Sequence, residues 1–340
     1  MTKYLSADPD NILEAAQMIQ NGGLVAFPTE TVYGLGANAL DVEAVGKIFS
    51  AKGRPAADPL IVHLYGLQQI SSVVSSFSPL AQRLAESLWP GALTLILPKQ
   101  AVVPDLVTSG LETVAIRIPN HPVALALIKA AGTPIAAPSA NRFGHISPTT
   151  AQHVQHDLDS RIDIILDGGP TSIGVESTVL DLSTTPARIL RPGGVTREMI
   201  EAIIGPVNVL GLRKKAEKGL PSPGLLEKHY APHAELVLFR GENAWQALVS
   251  YLDQQKTTGW KVGALAADEE APELEKMGVL VYHLGTNADP TNAARHIYAG
   301  MRWLDAQKVD VMVCRDFEAQ GLGLAIRDRL ARAATSINES

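Results

Sequence analysis

Four short segments of this chain combine Gly or Pro turns with small hydroxyls, amides and cations, the groups that could do chemistry. They are PTETVYGLG (Pro28–Gly36), KGRP with DPLIVH (Lys52–Pro55, Asp58–His63), PSAN (Pro138–Asn141) and ESTV (Glu176–Val179). Each borders a run that reads as a β-strand, where α/β folds place ligand loops. Arg117, within Ile116–Pro119, and Arg191, within Leu190–Gly194, stand near the ends of two more apolar runs. A guanidinium cannot shed its proton, so it is costly to bury unless an anion meets it. Structural carboxylates could supply those anions. Four cations in similar settings, Lys52, Arg54, Arg117 and Arg191, point instead to a ligand carrying phosphate or carboxylate. The hydroxyls and amide of PTET and PSAN are, singly, ordinary turn and capping groups. Together they suit a small polar ligand.

Other chemistries find little support. No G-x-x-x-x-G-K-[ST] loop occurs, and Gly34–Leu35–Gly36 and Gly321–Leu322–Gly323 resemble a dinucleotide fingerprint only loosely. His153 with His156, and His229 with His233, have metal-like spacing but no obvious third ligand, and read as structural or solvated. No Ser-His-Asp or Cys-His order stands out. The single cysteine, Cys314, cannot form an intrachain disulfide and lies in an apolar run, so it reads as a buried structural thiol in a cytoplasmic protein.

The elements that must position these residues follow from periodicity. Through residue 205 short apolar runs alternate with helical patterns, which predicts an α/β domain with a twisted mixed sheet. Strands are expected at 24–27, 60–64, 93–97, 114–118, 135–137, 162–166, 179–182 and 188–190, and helices at 9–20, 42–51, 122–130 and 197–204. Residues 206–233 lose periodicity and hold Gly211, Gly219, Pro221, Pro223, Gly224 and Pro232, a linker. From 234 to 340 strands and helices alternate regularly, predicting a smaller parallel-sheet, Rossmann-like α/β domain. In 340 residues the longest apolar runs are strand-length, too short to span a membrane, and the N-terminal residues hold no apolar signal core. The formal net charge is -6. Residues 206–233 nevertheless carry 5 Lys+Arg against 2 Asp+Glu. Such a chain lacks the broad basic face of a general nucleic-acid binder.

The ordered set PTETVYGLG, KGRP then PLIVH, PGALT, RIP, PSAN, ESTV and RPG, with SPG and KHYAP in the linker, closely resembles the YrdC-type threonylcarbamoyl-adenylate synthases in their long two-domain form. The resemblance spans essentially the whole chain. It implies synthesis of threonylcarbamoyl-adenylate from L-threonine, bicarbonate and ATP, the first step of a tRNA adenosine modification, with a downstream tRNA threonylcarbamoyl transferase as partner. It implies a threonine pocket of Thr31, His63, Arg117, Ser139 and Ser177, with Arg117 on the carboxylate. The ATP side would use Lys52, Arg54, Asp58, Thr113, Asn141, Thr149 and Arg191, with Tyr230 reaching in from the linker, and Mg²⁺ would accompany the phosphates. Lys52 and Arg54 would be the catalytic cations. Two departures stand out: Asp58 where the family commonly has Asn, and Arg142–Phe143–Gly144 after PSAN where a Ser-Gly pair is more usual. Asp58 can only accept hydrogen bonds while ionised and would repel phosphate unless protonated, bridged by Mg²⁺ or turned away.

Two rival readings remain. An RNA-binding module could use the same locally basic face, although the acidic balance and an aromatic content of 5% weigh against it. A carbamoyl-transfer domain of hydrogenase-maturation type resembles the first domain, but no acylphosphatase-like or zinc-finger segment accompanies it. Tyr230 reads here as a loop residue that carries little of any core and closes over the pocket.

Overall fold

The computed structural model describes residues 1–210 and 230–340, so SPG and Lys228–His229 of the linker lie outside the described residues. The described chain separates into two compact units, residues 1–143 with 147–210 and residues 144–146 with 230–340.

Eleven strands build the first unit: β1 (Lys3–Ser6), β2 (Val25–Phe27), β3 (Gly34–Asn38), β4 (Ile61–His63), β5 (Leu93–Pro98), β6 (Thr113–Arg117), β7 (Ile135–Ala136), β8 (Ile164–Asp167), β9 (Thr178–Asp181), β10 (Arg188–Arg191) and β11 (Asn208–Val209). They form one sheet in the order β1-β8-β2-β3-β7-β4-β6-β5-β9-β10-β11. Pairing alternates in sense, parallel for β4 with β6 and antiparallel for β5 with β6, so the sheet is mixed as the sequence predicts. Its helices are α1 (Pro9–Gln20), α2 (Val42–Lys52), α3 (Pro79–Leu88), α4 (Asp105–Thr108), α5 (Pro122–Ala131), α6 (Ala151–Leu158) and α7 (Arg197–Ile204). Asp8 caps α1 through Asn11 N, and the basic end of α2 stops at Gly53, whose φ of 66° suits glycine.

Successive strand side chains point to opposite faces, and the two faces have different fates. Ala26, Val62, Leu93, Leu95, Ile116, Ile165 and Leu180 enter the large core. Near α1 and α5 the opposite face is also apolar, with Val25, Phe27, Ile164 and Leu166. Across β4, β5, β6 and β9 that face holds only the small cluster of Ile61, Ile96, Ala115, Val179 and Leu190. Two residues along from those positions stand His63, Thr94, Arg117 and Ser177, which alternation puts on the same face. The sheet thus presents polar side chains where an apolar layer would otherwise continue.

In the second unit the strands are β12 (Glu235–Arg240), β13 (Val262–Ala266), β14 (Leu280–His283), β15 (Val311–Arg315) and β16 (Ser336–Glu339), ordered β14-β13-β15-β12-β16. Every pairing is parallel, as predicted. The helices are α8 (Ala244–Gln255), α9 (Ala271–Lys276), α10 (Pro290–Ala306) and α11 (Gly321–Ala333). Cys314 is buried in β15, and burial raises its thiol pKa. Tyr230 departs from expectation. Its ring is 1% exposed, stacked on Tyr298 of α10 at 5.6 Å, with the Arg329 guanidinium 5.3 Å above it. A side chain so enclosed is part of this unit's core.

Candidate active site

The site residues are brought together by sheet register. Parallel pairing of β4 with β6 sets His63 opposite Arg117, and antiparallel pairing with β7 puts Ile135 on its other side. The Arg117 guanidinium donates from Nη1 to Thr31 Oγ1 at 2.9 Å and from Nε to Gly91 O at 3.2 Å. Its Nη2 lies 2.7 Å from Glu30 Oε2. Thr31 Oγ1 also meets Thr29 Oγ1 at 2.8 Å, so the PTET turn holds the hydroxyl against the cation. Ser177 Oγ lies 2.8 Å from Thr94 Oγ1, and Arg191 donates to the Ser177 carbonyl at 3.0 Å and to its hydroxyl at 3.2 Å. The RPGG turn approaches ESTV backbone to backbone: a Cβ on Gly193 would fall 2.3 Å from Glu176 O and 2.4 Å from Thr178 N. Only glycine fits such an approach.

A second cluster forms where α2 ends. Lys52 Nζ donates to the Ser139 carbonyl at 2.6 Å and to the Asn141 carbonyl, and Ser139 Oγ donates to Asn141 Oδ1 at 2.5 Å. Arg54 donates to the carbonyls of Asp58 and Pro59 and meets the Asp58 carboxylate at 2.9 Å. Asp58 feels Arg54, Lys52 and Arg191 together, while burial, the largest influence, pushes its pKa up. The Asp58 carboxylate is therefore ion-paired with Arg54 and feels two further cations.

The electrostatics are those of a desolvated site. Lys52, Arg54, Arg117 and Arg191 are 3%, 8%, 3% and 4% exposed. Burial first, and Arg54 second, lowers the Lys52 pKa well below that of an ordinary lysine. Burial also lowers His63 to about 3, with Arg117 adding to the effect, so its imidazole is neutral at physiological pH. His121, which caps α5 through Val123 N, is likewise lowered by burial.

Of the residues predicted from sequence, Thr31, His63 and Arg117 share one neighbourhood, Ser177 and Arg191 a second, and Lys52, Ser139 and Asn141 a third. The Arg54 and Asp58 pair adjoins the last. Thr113 opens β6, four residues and about 13 Å of strand from Arg117. Thr149 is buried with Oγ1 3.3 Å from His153 Nδ1, and its carbonyl accepts from Thr171 N. Tyr230 packs within the second unit. The sequence reading gave no role to Glu30, Thr94 or Glu176, yet Glu30 contacts Arg117, Thr94 contacts Ser177, and Glu176 accepts from Ser147 Oγ at 2.6 Å. All three lie inside or beside quoted motifs. Among the described residues no group of three His, Cys, Asp or Glu is placed to hold a metal, and no helix is long and apolar enough to cross a membrane.

Comparison with known proteins then gives a consistent picture. Residues 17–193 match the Sua5, YciO and YrdC family, described as "Telomere recombination", and residues 195–335 match "Threonylcarbamoyl-AMP synthase, C-terminal domain". A Bacillus subtilis threonylcarbamoyl-AMP synthase is 47% identical over 98% of this chain and 96% of its own length. One from Pyrococcus abyssi is 44% identical, over 94% of this chain and 93% of its own. Among solved structures, Pyrococcus abyssi Sua5 complexed with L-threonine superposes with a TM-score of 0.91 at 41% identity, covering 100% of this chain and 99% of that one.

Proposed function

The chain belongs to the Sua5, YciO and YrdC family in its two-domain form, and we propose that it is an enzyme that makes threonylcarbamoyl-adenylate from L-threonine, bicarbonate and ATP. The observation that carries this reading is the burial of four cations among small polar groups, Arg117 against Thr31 and His63, Arg191 against Ser177, Lys52 against Ser139 and Asn141, and Arg54 against Asp58. Buried cations of this number answer the central difficulty of the reaction, the approach of a carboxylate, a carbamate and a triphosphate.

Arg117, Thr31, His63 and Ser177 would hold threonine, with Arg117 on its carboxylate. Lys52, Arg54, Asn141 and Arg191 would hold the phosphates. The carbamate oxygen attacks the α-phosphorus and pyrophosphate leaves, so positive charge at Lys52, Arg54 and Arg191 is needed as negative charge gathers on the leaving group. No side-chain nucleophile is required. The donor set here is cationic and Asp58 is engaged with Arg54, which does not fit a resident metal. Mg²⁺ enters this reading as part of the ATP substrate. The RNA-binding alternative calls for exposed cations, and these are nearly inaccessible. The adenylate product would pass to a tRNA threonylcarbamoyl transferase, completing the first step of the modification.

The direct test is pyrophosphate release from ATP. It is expected only when threonine and bicarbonate are both present. Release that ignores either one overturns the reading.

A further inference from the structure

Glu30 belongs to PTET, is 5% exposed, and has no part in capping a helix or closing a turn through its side chain. Its Oε2 lies 2.7 Å from Arg117 Nη2, yet neither carboxylate oxygen receives an aligned hydrogen bond from the protein, and the N–H groups of Arg117 Nη2 make none. A buried carboxylate ordinarily collects two or three donors, and leaving them unmade is costly. Contact without alignment leaves both partners free to bond something else. Around them the chemistry is fixed: Thr31 Oγ1 and Gly91 O occupy the other faces of the guanidinium, and His63 beside it is neutral.

A cation and an anion in contact at a buried site match one kind of ligand especially well, a molecule with adjacent opposite charges and no net charge. An α-amino acid zwitterion fits, its carboxylate toward Arg117 and its ammonium toward Glu30. A plain carboxylate would meet Glu30 as a like charge. The reaction adds a chemical demand, because an ammonium cannot attack carbon dioxide until it has lost a proton.

We propose that Glu30 binds the ammonium group of threonine and takes its proton, as the general base of carbamate formation. The inference rests on the reading of the site given above. The N–H bond breaks with its electron pair left on nitrogen, and an O–H bond forms on Glu30. Bicarbonate then takes that proton and yields carbon dioxide and water. The free amine attacks the carbon, a carbon–oxygen π pair moves to oxygen, and the remaining proton leaves to solvent.

The experiment uses the full chain and Glu30→Gln, which keeps the shape and removes the basicity. Pyrophosphate release should fall about 10²–10⁴-fold, the usual range for a positioned base. With dissolved carbon dioxide held at a fixed partial pressure, the residual rate should climb about tenfold per pH unit as the fraction of free amine rises, while the unaltered protein shows a flatter profile. Calorimetry should find threonine still bound, and Glu30→Asp should recover part of the rate. A loss that is uniform across pH, or a rate equal to that of the unaltered protein, overturns the assignment. Because removing one partner of a buried pair can unfold a protein, a second measurement needs no variant. The unaltered protein should bind 3-hydroxybutanoate, which lacks the ammonium, at least tenfold more weakly than threonine; equal affinity also overturns it. If the unaltered protein released no pyrophosphate with threonine and bicarbonate, the parent reading would fall first, and that outcome is distinguishable from either of these.

Discussion

Charge is buried in both units, and the two cases differ in how it is satisfied. In α11 of the second unit, Asp328 is 1% exposed and both its oxygens accept from Arg332 Nε, at 3.1 and 3.2 Å, while Arg329 Nη1 reaches Oδ2 at 2.5 Å. In the first unit, Glu30 and Asp58 touch Arg117 and Arg54 at 2.7 and 2.9 Å, yet their carboxylate oxygens receive no aligned hydrogen bond. The cluster in α11 is closed, with the Arg329 guanidinium also lying over Tyr230. In the Glu30 and Arg117 pair both Glu30 oxygens and Arg117 Nη2 are in contact without an aligned hydrogen bond, so that pair is close in space and chemically open. Buried charge therefore does not mark a ligand site by itself. Breaking a closed cluster should cost stability, and breaking an open pair should cost ligand binding.

The largest effect is expected at Asp328. Asp328→Ala leaves two arginines without their shared carboxylate, and stranding a buried charge costs about 3–5 kcal/mol. Urea unfolding should show that loss, with threonine affinity unchanged in the fraction that remains folded. A variant as stable as the parent would show that Asp328 is not what holds the two arginines in place.

Arg117→Ala should act in the opposite way. Threonine binding should weaken by roughly 1.5–3 kcal/mol, the value of a charge-assisted contact, and ATP binding should change less. Calorimetric titration with each ligand separates the two, and unchanged threonine affinity would remove Arg117 from the pocket.

What the sequence made legible follows the same division. Strands with dense β-branched alternation, such as β4, β6, β8 and β9, fall where periodicity placed them, because one of their faces enters a large core. β3 is not legible in the sequence: Gly34–Leu35–Gly36 offers no alternation, and a Cβ on Gly36 would press on Phe27 and Ile135 at 2.8 Å. β16 is not legible either, since Ser336–Glu339 is a mostly exposed polar edge strand with no apolar pattern to read. The helix α3 carries a stripe of Ala81, Leu84 and Ala85 behind the cap Ser78, a short pattern between two stronger strand signals. The motif loops gave the cations and hydroxyls correctly as a set. They could not give their partners, because the contacts of Glu30 with Arg117 and of Thr94 with Ser177 join residues more than eighty positions apart. Tyr230 shows the converse, a residue whose neighbours in sequence are turn formers and whose burial comes from α10 and α11.

His63 offers a test by pH alone. Its folded pKa of about 3 lies below the ordinary value of 6.5, so between those limits the unfolded chain binds the extra proton. Stability contributed by the neutral imidazole is complete above about pH 6.5 and is lost as pH falls toward 3. The slope from this group is at most about 1.4 kcal/mol per pH unit. Denaturation at several pH values should show stability rising with pH in that window, and His63→Asn should flatten the rise. An unchanged slope would place the responsible proton elsewhere.

The smallest effect concerns Lys52, and it asks whether the open cluster changes its proton content when a ligand arrives. Burial, and then the charge of Arg54, lower the Lys52 pKa, while Asp157 and Asp58 partly offset them. The ammonium form is also held by the Ser139 and Asn141 carbonyls, which fix the nitrogen where phosphate would approach. A triphosphate brings negative charge to that nitrogen and must raise its pKa. ATP binding at a pH above the depressed value should therefore take up protons, at most about one per site, and ATP affinity should weaken as pH rises. Titrations in two buffers of different ionisation enthalpy count those protons, and Lys52→Arg, which stays charged, should abolish the uptake while keeping a cation in place. The closed cluster in α11 has no lysine and should take up none. If uptake were the same in the arginine variant, the proton would belong to another group, Asp58 being the first to examine because burial raises its pKa beside the same cations.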